Sequence, residues 1–254
     1  MSPAMLHPRG IMMMLERCRL TSWFHDSAPF MSMNKLDMMI YMVTASLHID
    51  NKVYNTSLEK QPVTVEQELG YLGNSSFKLK TNIVFPGHPQ ALIQGQQMYV
   101  LVDKLTKRPA RPPTWWSDQL KPSVDPSGTP FKFPSTQMPD AVRVSQIVVN
   151  PSDTDFYLHA GSANYVKFVT DAYTAWHVRE FGFEGHGDPF RAVKTMVQSF
   201  KGEAALGDVL SVKFWPSDHN QDLFHFHLIK NQQVIHECDV EFYPLDTNYL
   251  TASL

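Results

Sequence analysis

Apolar and polar positions alternate through residues 63–69, 76–84 and 91–102. They alternate again through 142–149, 193–200, 209–215, 223–230 and 234–243. These stretches are rich in β-branched and aromatic residues, so each predicts a half-buried strand. One stretch has a different period. Tyr165, Phe168, Val169, Ala172, Tyr173, Ala175 and Trp176 recur at helical spacing, with Lys167, Thr170, Asp171, Thr174 and His177 largely between them. That spacing predicts an amphipathic helix over about 164–181, ended by Gly182 and Gly185. Turn-forming residues at 70–74, 86–89, 207–208, 217–222 and 231–233 separate the strands, which reads as antiparallel pairing.

The strands fall into two blocks that look like copies. Strand, glycine turn, strand at 62–84 parallels the same order at 192–215, and the pair at 91–102 parallels 223–243 less cleanly. The first block shows no clear counterpart of the helix; residues 34–44 are the candidate remnant. Between the blocks, residues 104–140 hold eight of the 18 prolines. Proline removes a backbone donor and fixes φ, so a central strand or long helix is excluded there. The stretch reads as an inter-domain linker, with Trp115 and Trp116 suggesting that it docks. The expected divisions are 1–45, an atypical N-terminal extension; 46–103, a degenerate half; 104–140, the linker; and 141–254, a complete half.

Composition narrows the function. The chain has 254 residues, is 43% hydrophobic and carries a formal charge of −3, so a sizeable core is expected and a polyanion-binding role is not. No nucleic-acid partner is expected. No run of about 18 apolar residues marks a membrane span. Cys18 and Cys238 lie far apart in sequence, without zinc spacing, so a reducing, cytoplasmic compartment is the simpler reading. Arg9, Arg17 and Arg19 with one early acid, Glu16, also fit a mitochondrial targeting segment. The C-terminal Ala-Ser-Leu lacks the basic residue of a peroxisomal address.

Candidate chemistry concentrates between the strand ending at Val149 and the helix. Asp153, Asp155, His159, Gly161, Ser162 and Asn164 lie at this strand-to-helix junction. A carboxylate there can act as a base or nucleophile, while the helix N-terminus offers N–H donors to a developing oxyanion. Asp153 and Asp155 fit turn or helix capping equally well, Ser162 fits an N-cap, and Tyr165 fits the core. His225 and His227 share one strand face and could be imagined with His236 as a metal site, but a solvated or interface face is the simpler reading. The loop Phe85-Pro86-Gly87-His88-Pro89 is superficially like a dehydratase motif. It sits between strands rather than before a helix, which disfavours a dehydratase.

The run Asp153-x-Asp155-x-x-x-His159, followed by Tyr165, resembles the motif of hotdog-fold thioesterases of the 4-hydroxybenzoyl-CoA and acyl-carrier-protein branch. The turn from Glu203 to Asp208 is similar to one common in that branch. The resemblance covers about 142–245. It implies an α+β chain of two hotdog folds in tandem, each a curved antiparallel sheet wrapping a central helix, the helix of the first half being unplaced. It implies an acyl thioesterase acting on acyl-CoA or an acyl carrier protein (ACP), with Asp155 and His159 catalytic. Asp153, Gly161, Ser162 and Asn164 would be substrate-binding. No metal or cofactor is implied. The chain would be an internal pseudo-dimer, and a homodimer of chains is a further expectation. Gly161-Ser162 stands where the family has Asn-Asn, so a non-catalytic acyl-thioester binder or scaffold is the alternative.

Overall fold

A computed structural model describes residues 7–24, 36–55, 62–155, 158–182 and 190–244. Its elements, in chain order, are α1 (Pro8–Phe24), β1 (Met38–Ile49), the single turn α2 (Lys52–Asn55), β2 (Thr64–Leu72), β3 (Ser76–Val84), β4 (Ile93–Asp103), α3 (Thr114–Leu120), β5 (Arg143–Val148), α4 (Ser162–Phe181), β6 (Val193–Phe200), β7 (Val209–Pro216), β8 (Leu223–Lys230) and β9 (Gln233–Phe242). Contacts divide the chain into an N-terminal unit, Gly10–Pro134, and a C-terminal unit, Met1–Arg9 with Ser135–Leu254.

In the C-terminal unit the antiparallel order is β6-β9-β8-β7-β5. Alternation sends one set of side chains inward, Leu210, Val212 and Phe214 on β7 and Phe224, Phe226 and Leu228 on β8, all buried. The helix α4 buries Tyr165, Val166, Phe168, Val169, Ala172, Tyr173 and His177. Tyr173 meets Phe224 and Phe242 at centroid distances of 5.1 and 4.7 Å, and Trp176 meets Phe214 at 5.9 Å. Each such side chain contributes roughly 1.5–3 kcal/mol by leaving water, which locks the helix onto the sheet. Gly182 ends α4 at a φ of 73°, a conformation costly for other residues, and its N–H bonds Val178 O at 2.8 Å.

In the N-terminal unit the order is β2-β3-β4-β1. It repeats the β7-β8-β9-β6 order of the other unit, so residues 64–84 correspond to 209–230 and not, as expected, to 192–215, and among the described residues β5 has no counterpart. Two more expectations fail here. Residues 38–44 belong to strand β1, not to a remnant helix, and residues 34–35 lie outside the described set. The region 1–45 is not a mere extension either. It supplies α1, whose Ile11, Met12 and Leu15 are buried, and most of β1. Leu15 packs by Gly95 of β4, and Arg19 Nη1 donates to Tyr99 Oη at 2.9 Å. The methionines of α1 and β1 hid this: unbranched Met has no strong strand signature and blurs a helical stripe.

The proline-rich stretch was expected to dock through Trp115 and Trp116; Trp116 is buried while Trp115 stays exposed. Residues up to Pro134 cluster with the N-terminal unit. Trp116 of α3 is fully buried and meets Phe77 edge-on at 5.8 Å, within a core that includes Leu69, Leu79, Tyr99 and Leu101. Lys78 Nζ donates to Thr129 O at 2.7 Å, and a Cβ on Gly128 would stand 2.0 Å from Gly70 O. Proline excluded regular pairing but left the segment able to lie as a strap over strands.

Candidate functional site

The strand β5 ends in a 3₁₀ turn, Pro151–Asp153, closed by a reciprocal capping box between Asn150 and Asp153. Asn150 N–H donates to Asp153 Oδ2 at 3.0 Å, and Lys167 Nζ on α4 donates to Oδ1 at 2.9 Å. Burial alone would raise this carboxyl, but the Lys167 ammonium and the Asn150 N–H outweigh it and hold it below the usual carboxylate range. Asp153 is fully buried. Its expected contact with substrate is therefore replaced by a structural one: it ties the turn to the helix.

Beyond the turn the chain emerges. Asp155 is exposed, and its Oδ1 accepts the His159 N–H at 3.2 Å while its own N–H bonds His159 O at 2.9 Å. Asp155 thus closes the loop on the backbone of His159, whose ring turns elsewhere. Leu158 takes a φ of 62°, a left-handed conformation uncommon for a bulky residue, and its N–H bonds Asp155 O at 3.0 Å. His159 Nδ1 lies 3.3 Å from Glu203 Oε2 in the β6–β7 turn, both side chains about half exposed. Backbone bonds hold the two segments together: Ala160 N to Ala204 O at 2.8 Å and Leu206 N to Leu158 O at 2.9 Å.

Glu203 was not among the expected site residues. The turn 203–208 carried a family-like pattern, but no spacing rule links a turn glutamate to a histidine on a different loop. The turn is fixed from both sides. Tyr165 Oη accepts the buried Ala204 N–H at 3.0 Å, and Lys230 Nζ reaches Asp208 Oδ2 at 2.6 Å. Burial pushes the Tyr165 hydroxyl up to about 12. Tyr165 is a core residue, as expected, with a hydrogen-bonding edge.

Gly161, not Ser162, is the N-cap of α4, and Ser162 is the first helical residue. Gly161 has an ordinary φ of −64°, and a Cβ there would meet only Asn164 Nδ2 at 3.6 Å. The backbone does not require glycine. Asn164 Nδ2 donates to Asp153 O at 2.7 Å, and its Oδ1 accepts from Arg9 Nε at 3.1 Å.

The other histidines do not converge. His225 and His227 share a face, as expected, but they are buried rather than solvated. His225 Nδ1 is 2.7 Å from Asp239 Oδ1, and His227 faces Glu237. His236 points to the other side, against Tyr165 and Phe200 at 4.9 Å each. Among the described residues no cluster of three metal-ligating side chains occurs, and no helix is long and apolar enough to cross a membrane.

No protein-family model and no curated protein sequence matches the chain. Solved structures do. The 12:0-ACP thioesterase from Umbellularia californica superposes with a TM-score of 0.69 at 14% identity, covering 94% of this chain and 90% of its own. A putative oleoyl thioesterase from Lactobacillus plantarum gives 0.71 at 11% identity with the same coverage. An acyl-ACP thioesterase from Bacteroides thetaiotaomicron gives 0.63 at 12%, covering 91% and 88%. The chain has the α+β hotdog fold of these proteins.

Proposed function

We propose that this protein is an acyl thioesterase, hydrolysing the thioester that links an acyl chain to an acyl carrier protein or to coenzyme A. The observation that carries the proposal is that the loop entering α4 is bonded to the β6–β7 turn, with the Asp155 carboxylate on the His159 N–H and the His159 ring against Glu203. The likeness to three thioesterases over nine-tenths of the chain supports it, and two of the three are acyl-ACP thioesterases, which favours a carrier-protein substrate.

In this reading Asp155 acts as general base for water, or attacks the thioester carbonyl itself. His159, held by Glu203, orients the attacking group or the carbonyl. Charge developing on the carbonyl oxygen is met by the positive end of the α4 dipole, at the helix N-terminus beside Gly161 and Ser162. Asn164 braces that turn. Collapse of the tetrahedral intermediate expels the carrier thiolate, which takes up a proton; attack by water leaves the free acid at once, whereas attack by Asp155 leaves a mixed anhydride that water then hydrolyses to the acid and the regenerated carboxylate. The two units would be the halves of an internal pseudo-dimer.

The test is thiol release from a panel of acyl-ACP and acyl-CoA substrates by the wild type, Asp155→Asn, His159→Ala and Glu203→Gln. Loss of about 10²-fold or more in kcat for Asp155→Asn is expected, from the scale of acid–base contributions. Binding of acyl thioester without release by the wild type would leave a non-catalytic binder and sink the enzyme.

A further inference from the structure

The geometry points to Arg9 as a positioning residue for this site, acting through Asn164; this rests on the proposed thioesterase reading. Arg9 groups with the C-terminal unit, although it stands at the other end of the sequence from α4. Its Nε–H donates to Asn164 Oδ1 at 3.1 Å. An asparagine amide has one accepting and one donating end, and which way it points is decided by its partners. With Oδ1 engaged by Arg9, Nδ2 is turned onto Asp153 O, where it donates at 2.7 Å. The same carbonyl also receives the Gly161 N–H at 3.4 Å. Asp153 O is thus the anchor at which the loop carrying Asp155 and His159 is pinned to the N-cap of α4.

The electrostatics argue against a role in helix stability. A cation near a helix N-terminus opposes the helix dipole. The same region already holds the Lys167 ammonium on Asp153, with Asp171 and His7 close enough to interact. The guanidinium opposes the dipole of α4 but also attracts the Asp171 carboxylate on the same helix, so the two charge effects on α4 offset each other. What it supplies is a fixed donor at one atom, Asn164 Oδ1. A loop misplaced by about an ångström costs on the order of 10²-fold in rate, so a donor that fixes a loop amide can matter to turnover without touching substrate.

The experiment is a double-mutant cycle on the full chain with Arg9→Ala, Asn164→Ala and the pair, plus Arg9→Lys, assayed on the same substrate panel. Arg9→Ala should lower kcat about tenfold with KM within about twofold, and Arg9→Lys should recover part of it. In the Asn164→Ala background, Arg9→Ala should change kcat less than about twofold, because the two act as one unit. Multiplicative effects, or a fall in melting temperature with kcat unmoved, would overturn the inference. A wild type inactive on every substrate would defeat the thioesterase reading alone. The side-chain NH2 of Asn164, followed by 1H–15N spectra, then decides the matter. Arg9→Ala should shift it and speed its exchange, and an unchanged resonance overturns the role of Arg9.

Discussion

Tyr165→Phe isolates one hydrogen bond that serves both fold and site. Tyr165 is 3% exposed, and its ring packs on Phe168, Phe200 and His236. Phenylalanine keeps those contacts, so no cavity opens. The loss is the hydroxyl that accepts the N–H of Ala204, a residue with no exposed surface. Stranding a buried donor costs about 1–3 kcal/mol, offset in part because the hydroxyl no longer has to be desolvated; a net loss of about 1–2 kcal/mol is expected. For a chain of this size that is a fall of about 3–6 °C in melting temperature, read by calorimetry. Glu203 adjoins Ala204, so thiol release should fall with it. The alkaline limb gives a second check. Folded Tyr165 ionises at about 12 and the unfolded chain near 10, so above pH 10 the unfolded state loses a proton that the folded state keeps. Stability from this group is whole below pH 10 and drains away toward pH 12. Tyr165→Phe removes that drain. A variant that melts with the wild type at pH 7 would refute the accounting.

Burial holds His236 down at about 3, against 6.5 when exposed, so between those values only the unfolded chain takes up a proton and stability falls as pH drops. His236→Phe should flatten melting temperature against pH from 6.5 to 4; an unchanged slope counts against it. Gly161→Ala should melt with the wild type, since φ is ordinary and the nearest atom is 3.6 Å away, while KM rises if substrate approaches this backbone. A large loss of stability would mean that the cap is misread. Gly128→Ala should destabilise the N-terminal unit by more than about 2 kcal/mol, because its Cβ would lie 2.0 Å from Gly70 O and the strap must lift. Chemical denaturation checks it, and a neutral result would mean the strap is not held there.

Much of the C-terminal unit was legible because its signals are local. Alternation set β5 to β9 within a residue or two, and the 3.6 period of Tyr165–Trp176 set α4. The junction motif drew attention to Asp155 and His159, and the structure bonds the carboxylate of the first to the backbone N–H of the second. Asp153 matched the same motif yet is a buried brace, since a carboxylate looks the same in sequence whether it meets a ligand or Lys167. The N-terminal unit was less legible. Methionine-rich α1 and β1 carry weak periodicity, and proline marked where ladders cannot form without saying where Trp116 would bury itself.

By itself the sequence determined the strand and helix periods, the places where proline and glycine forbid regular structure, and the loop on which the candidate chemistry sits. All of these follow from interactions between near neighbours. Only the tertiary structure decided that Glu203 meets His159, that Tyr165 holds the Ala204 N–H and that Arg9 reaches Asn164. Those contacts join segments far apart in the chain. They exist because sheet order and the burial of α4 bring their ends together, and no local pattern encodes that meeting.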